Sequence, residues 1–292
     1  MTPLDASAAA FDHQSPPRRT FLCALRAERL KSSAGLVWGM IIATVIGSAL
    51  LGYVFPGMVP IHSQDLPGDM GLNNGASGLP LSVDEFARPD GAWAIQRFLS
   101  PHVGLIALFL AVAMTSRDVR SRVLLMQLTY GPSRLTLTSA TWLVALGRWG
   151  ALSALALVVG ALAAGAAVLT RGLSVDGWFH TDVLTSGLRT WVALMIIGGF
   201  YSALGQAGAY LLRSSVLSLA LPIIYFLMIE PALTMMPIKS WMLPGSYVKQ
   251  IGWAGSDTVT GLPGATAVII VLVTTSLLIA AAPALLRRRS LS

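Results

Sequence analysis

Charge is what this sequence has least of. Only 11% of its 292 residues are Asp, Glu, Lys or Arg, while 54% are hydrophobic, and the mean hydropathy is +0.69. A soluble domain carries about 25% charged residues. A chain this poor in charge cannot cover itself with a hydrated surface, so lipid must replace water over much of it. Cysteine is nearly absent. Cys23 stands alone, which excludes an intrachain disulfide, a C-x-x-C pair and a Cys/His metal cluster. No glycine is followed by lysine, so the G-x-x-x-x-G-K-[ST] phosphate loop is missing and ATP is not bound in that way. H-E-x-x-H and G-x-S-x-G are also missing, and His13, His62, His102 and His180 are scattered over different segments. A membrane enzyme places several ionisable groups at one depth; here the charged candidates lie near the ends of apolar runs. The reading is therefore not an enzyme.

What is present is a series of long apolar runs. Residues 1–20 hold small residues and Pro16-Pro17 without apolar periodicity, and they read as a disordered cytoplasmic tail. Phe21 to Ser33 puts Phe21, Leu22, Leu25 and Leu30 on one helical face, with Arg26, Glu28, Arg29 and Lys31 mostly elsewhere. That pattern fits a helix lying along the headgroups, or a plain cytoplasmic extension of the first span. About 20 apolar residues cross a bilayer core of about 30 Å. Six segments qualify: 34–54, 93–115, 142–169, 188–212, 215–235 and 262–286. The second is the least clean, with Gln96, Arg97 and His102 in its first half. A polar segment rich in Pro, Gly, Asn and Asp separates the first two, and only Arg213 and Ser214 separate the fourth from the fifth. Small residues in the third span (Gly160, Ala164, Gly165) and the fourth (Gly198, Gly199, Gly205, Gly208) let helices approach closely.

The net charge of +7 would suggest nucleic acid in a soluble protein. Here the basic residues flank the apolar runs, so they report orientation, and no nucleic-acid partner is expected. With the N-terminus inside, thirteen Lys and Arg fall on the cytoplasmic side and six outside. Both chain ends are thus expected in the cytoplasm, with the chain in the cell membrane.

Between the second and third spans runs Ser116 to Thr141. Its start is charged, Val123, Leu124, Leu125, Met126 and Leu128 then make a short apolar ridge, and Gly131-Pro132 stops any helix. Such a ridge suits a groove on a cytoplasmic partner; it equally suits a connector lying on the membrane. Glu230, beside Pro231, is the one acidic residue within an expected span. A charge at mid-bilayer costs about 2.5–3.5 kcal/mol on insertion scales. Glu230 therefore reads as an outer gate or helix-end residue, paired with Arg97 or Arg189, or as a solvated interfacial residue.

The order of parts resembles the permease subunit of the type-2 ABC exporter superfamily: a basic amphipathic helix, a span, a large outer loop, then a second span running into a charged segment. In that family the segment carries an acidic residue, a short coupling helix and a Leu-x-x-Pro-x-Ser-Arg-like turn. Here Asp118 holds the acidic place, and the turn is Leu128-Thr129-Tyr130-Gly131-Pro132-Ser133-Arg134, one residue longer before the proline. Ser121-Arg122-Val123 stands where the family has Gly-Thr. The tight fourth-to-fifth hairpin, Glu230-Pro231, Trp241 to Gly245 and the basic tail Arg287 to Arg289 continue the likeness, which covers about 21–289.

The resemblance implies an all-α bundle of six spans with an N-terminal interfacial helix and a coupling helix between spans 2 and 3. It implies a second permease copy, or a related permease, and a separate pair of ABC ATPase subunits. ATP and magnesium would belong to that pair, and no cofactor to this chain. Coupling falls on Asp118, Val123, Leu124, Leu125, Leu128 and Arg134. In the family the second and fifth spans line the pathway, here Phe98 and His102, then Tyr225, Phe226 and Met228. Such a lining suits a hydrophobic or amphipathic substrate such as a drug, peptide antibiotic or lipid. Taken singly, each of these side chains also fits a place facing lipid or a neighbouring helix. The competing functions are a non-transporting sensor or assembly component on the same scaffold, and a lipid-modifying enzyme.

Overall fold

The computed structural model describes residues 17–30, 34–58, 83–120, 133–212, 214–234, 244–252 and 264–290. Among these there is no strand. Helix α1 (Pro17–Leu30) precedes α2 (Ala34–Met58), and the short α3 (Val83–Ala87) leads through a 3-10 turn into α4 (Ala94–Arg120). There follow α5 (Arg134–Thr170), α6 (Thr181–Leu212), α7 (Ser215–Ile224), a π-helical turn (Tyr225–Ile229), α8 (Glu230–Thr234), α9 (Pro244–Gly252) and α10 (Gly264–Ser290). Five stretches are long and apolar enough to cross a membrane: Val37–Met58, Arg134–Thr170, Thr181–Leu212, Ser215–Leu233 and Gly264–Leu285. The protein is an α-helical membrane protein, and α4 is the sixth candidate.

Helix α4 is bent by 53° between its parts 91–97 and 102–118. The cause is Pro101, which has no N–H to give and whose ring clashes with the carbonyl four residues back, that of Arg97. Ser100 Oγ donates to that carbonyl at 2.7 Å and so satisfies it. The interruption that Gln96 and Arg97 make in the apolar pattern is thus also a break in the helix.

The expected boundaries shift in three places. Residues 17–20, expected in the tail, form the first turn of α1. Helix α5 starts eight residues before the expected third span. Ser133 caps it, accepting from the Thr136 N–H at 3.2 Å, and the hydroxyls of Thr138, Ser139 and Thr141 donate back to their own helix's carbonyls. Arg134, expected in a turn, is therefore the first residue of this helix. Helix α6 likewise starts at Thr181, which puts Arg189 in its third turn.

The core lies where α4, α5, α6, α9 and α10 meet around Trp149, Ile197, Tyr201 and Val248. In lipid the drive between helices is close packing and hydrogen bonding, because lipid tails are as apolar as leucine. Three indoles join α5 to α6. Trp142 Nε1 donates to the Gly199 carbonyl at 3.0 Å, Trp149 to Leu194 at 2.7 Å, and Trp191 to Gly150 at 3.0 Å. Each uses the second lone pair of a carbonyl already engaged in its helix. Gly198 makes this approach possible, since a Cβ there would land on the Trp149 indole. Gly205 does the same against α4, with the Leu108 carbonyl 2.8 Å from the place a Cβ would take.

The two ends of the bundle differ. At one end Val83, Phe86, Ala94, Ile95 and Val168 form a small cluster that includes Phe55 at the end of α2, and Trp93 Nε1 donates to the Val183 carbonyl at 2.8 Å. At the other, Leu137, Tyr210 and Ala282 meet, and α1 packs on α5. These are called below the α3 end and the α1 end.

Candidate functional site

The fifth expected span is one helix with a π turn inside it. Ser214 caps α7 by accepting from the Leu217 N–H at 3.3 Å. Pro222 and Pro231 lack N–H groups on either side of residues 225–229. Between them the chain opens into one π turn, closed by the Glu230 N–H donating to the Tyr225 carbonyl five residues back. Single π turns inside α-helices are frequent at functional sites, because the wide turn re-aims the side chains after it. Here Phe226 sits edge-on to Tyr201, with centroids 5.1 Å apart and planes at 66°. Tyr225 sits edge-on to Phe226 at 5.2 Å.

The turn ends on Glu230, whose residue is only 1% exposed. The backbone N–H of Gly245, in the first turn of α9, donates to Glu230 Oε2 at 3.0 Å. The Ser246 N–H faces the same carboxylate. Glu230 Oε1 makes no hydrogen bond among the described residues. The N-terminus of a helix offers free N–H donors and a partial positive charge, so a carboxylate there is stabilised. Lys249, on the same helix, is within electrostatic reach of Glu230 and of His102. Glu230 is thus buried and not solvated, and the α9 backbone is bonded to it. Gly245 leaves room for the carboxylate, on which a Cβ would fall.

Beside this junction lies a cavity of about 520 Å³, walled by α6, α7, α9 and α10. Phe200, Leu204, Gly208 and Leu212 line it from α6 at every fourth position, and Ile270, Thr274 and Leu278 line it from α10 in the same way. Tyr225 and Phe226 complete it. Its two aliphatic wall hydroxyls are turned back onto their own helices: Ser218 donates to Ser214 O at 2.6 Å and Thr274 to Ile270 O at 2.8 Å.

Of the pathway residues expected from sequence, the structure gathers Tyr225 and Phe226 at the cavity. Met228 is 68% exposed and points away. His102 is exposed on α4 beyond the bend. Phe98 lies on α4 at the bend, and its side chain is outside the described residues. Of the coupling residues, Asp118 is buried near the end of α4 at the α1 end, and Arg134 opens α5. Val123, Leu124, Leu125 and Leu128 lie outside the described residues.

A second polar junction was not legible as a site. Arg148, fourteen residues into α5, donates from Nη2 to the Arg29 carbonyl at 3.3 Å and from Nη1 to Met114 Sδ at 3.1 Å. The Glu28 carboxylate, itself buried, attracts the same guanidinium. The 37 residues of α5 measure about 55 Å, against a core of about 30 Å. The excess carries α1, and Arg148 sits where α5 leaves the apolar layer. A cation inside an apolar run was the available signal. Pro244-Gly245 was the other, since proline favours the first position of a helix.

Fold and site define an α-helical membrane protein in which a span with an internal π turn is hydrogen-bonded to a short helix beside an apolar cavity. No protein-family model matches the chain, and a search of curated proteins finds no match.

Proposed function

We propose that this chain is the permease subunit of a type-2 ABC exporter, moving a hydrophobic or amphipathic substrate across the cytoplasmic membrane. In this reading α4, bent at Pro101, is the second of six spans, and both termini are cytoplasmic. Helix α1 lies at the inner headgroups, and residues 121–132 carry the coupling helix between Asp118 and Arg134. Two copies, or this chain and a related permease, work with a separate pair of ATPases that bind ATP and magnesium.

The observation that carries it is the π turn inside the fifth span. A regular α-helix transmits motion as a rod. A helix with one wide turn between two prolines, and with one carboxylate bonded to the start of α9, has a defined point at which to rearrange. Glu230 is then the gate residue, and the apolar surroundings of Tyr225 and Phe226 support a greasy cargo.

The test is co-purification in mild detergent with each candidate ATPase of the host, with ATP hydrolysis measured for the wild type and for Leu124→Asp combined with Leu128→Asp. A complex that hydrolyses ATP, lost in the double variant, supports the reading. A folded chain that binds no ATPase overturns it and leaves a non-transporting membrane component.

A further inference from the structure

The cavity beside the π turn has no assigned occupant, and its shape and walls specify one. It runs along twelve residues of α6, from Phe200 to Leu212, about 18 Å at 1.5 Å per residue. Leu212 is the last residue of α6, so the cavity begins at the α6–α7 turn, at the α1 end of the bundle. It finishes at mid-height, against Pro244 and Tyr247 of α9. One leaflet of a bilayer core is about 15 Å deep. The cavity therefore has the length of one leaflet's hydrocarbon and starts at one end of two spans.

Its chemistry agrees. Ser218 and Thr274 have spent their hydroxyl protons on their own helices, so the walls offer little to water. An apolar cavity of this kind stays dry and takes an apolar ligand. The phenols on its walls, Tyr225 and Tyr247, both sit at the α9 end. The mouth is continuous with the lipid-facing surface. Leu221 belongs to the lining and is half-exposed, and Leu217 and Ile224 on α7 and Val273 and Leu277 on α10 stand exposed beside it. Whatever enters comes sideways from the bilayer.

We propose that this cavity is a binding site for a single acyl chain of a membrane lipid, drawn from the leaflet at the α1 end. The chain lies between α6 and α10 with its methyl end toward Phe226 and Tyr247. The site stands whether or not the protein transports cargo.

Gly208 supplies the test. It lines the cavity, and a Cβ built there meets nothing closer than 3.8 Å, at Ser218. The Cβ of Gly208→Phe therefore enters at ordinary contact distance, and its ring takes up space in the cavity. The full chain is reconstituted in phosphatidylcholine vesicles containing a small fraction of phosphatidylcholine with a diazirine at the end of one acyl chain. After irradiation, adducts are mapped by mass spectrometry.

The expected result is strong labelling of Phe226, Tyr247 and Ile270, falling several-fold in Gly208→Phe, while labelling of the exposed α2 residues Trp38 and Ile42 is unchanged. Thr274→Trp, filling the cavity from the opposite wall, should reproduce the loss and covers the case in which Gly208→Phe does not fold. Labelling of the cavity residues no stronger than that of α2, or indifferent to both filling variants, overturns the proposal. So does disulfide dimerisation of Leu221→Cys, added to a Cys23→Ser chain, if it abolishes the label, since a second copy would then be the occupant. A positive label with no ATPase partner leaves the lipid site standing and removes only the exporter reading.

Discussion

The carboxylate of Glu230 accepts a hydrogen bond from the backbone N–H of Gly245 at 3.0 Å, and this bond fastens the π turn of the fifth span to the first turn of α9. Both partners are buried, which strengthens the bond. Any rearrangement of the Tyr225–Ile229 turn has to exchange it.

Glu230→Gln keeps the shape and an acceptor oxygen but loses the charge. Insertion and folding should persist, with a loss of about 1 kcal/mol. If the residue gates transport, export should fall while the amount of protein in the membrane stays level. Transport equal to wild type, measured in vesicles, would remove the gating role.

Gly245→Ala brings a Cβ onto that carboxylate, so the Glu230 side chain has to swing off the α9 N–H groups. A loss of roughly 1–3 kcal/mol is expected from the displaced hydrogen bond, seen as a lower midpoint of thermal unfolding in detergent. Gly264→Ala is the control, since a Cβ there meets nothing within 4 Å.

Arg148→Met should release α1. The guanidinium both caps the α1 carbonyl at Arg29 and faces Glu28, so its loss removes one bond to α1 and one positive charge beside a buried carboxylate. A cost of roughly 2 kcal/mol is expected, together with faster proteolysis after α1. Arg148→Lys should not restore the wild type, because a lysine cannot reach two acceptors in a fixed fork. Adding Glu28→Gln to Arg148→Met should recover part of the loss; a strictly additive pair would show that the two do not interact.

Gly198→Ala should loosen the α5–α6 interface, because the added methyl lands on the Trp149 indole. The expected cost, roughly 1–3 kcal/mol, should exceed that of Trp149→Phe. That change removes the donor to Leu194, a bond that averages about 0.6 kcal/mol between membrane helices, and trims a buried ring, whereas the methyl has to displace the whole indole. Thermal unfolding of the two variants side by side decides the order.

Composition and apolar runs by themselves determined that the chain enters a membrane as helices, because a bilayer core leaves backbone polar groups no other partner. Five of the expected spans fall on helices long and apolar enough to cross, though with other ends, and the remaining one falls on the bent α4. Helix α5 begins early because Ser133 caps it, and the hydroxyls of Thr138, Ser139 and Thr141 are satisfied on its own carbonyls, so a polar stretch that reads as a connector stays helical. The bend at Pro101 was present in the sequence, and its consequence needed only the missing N–H. Which residues meet across helices was decided by the tertiary structure. Glu230 and Gly245 lie fifteen residues apart and Arg29 and Arg148 more than a hundred, and no local period links either pair. A charged group in an apolar run announces that it needs a partner; which one it finds depends on how the helices pack, and only their packing places α9 under Glu230 and α1 against Arg148.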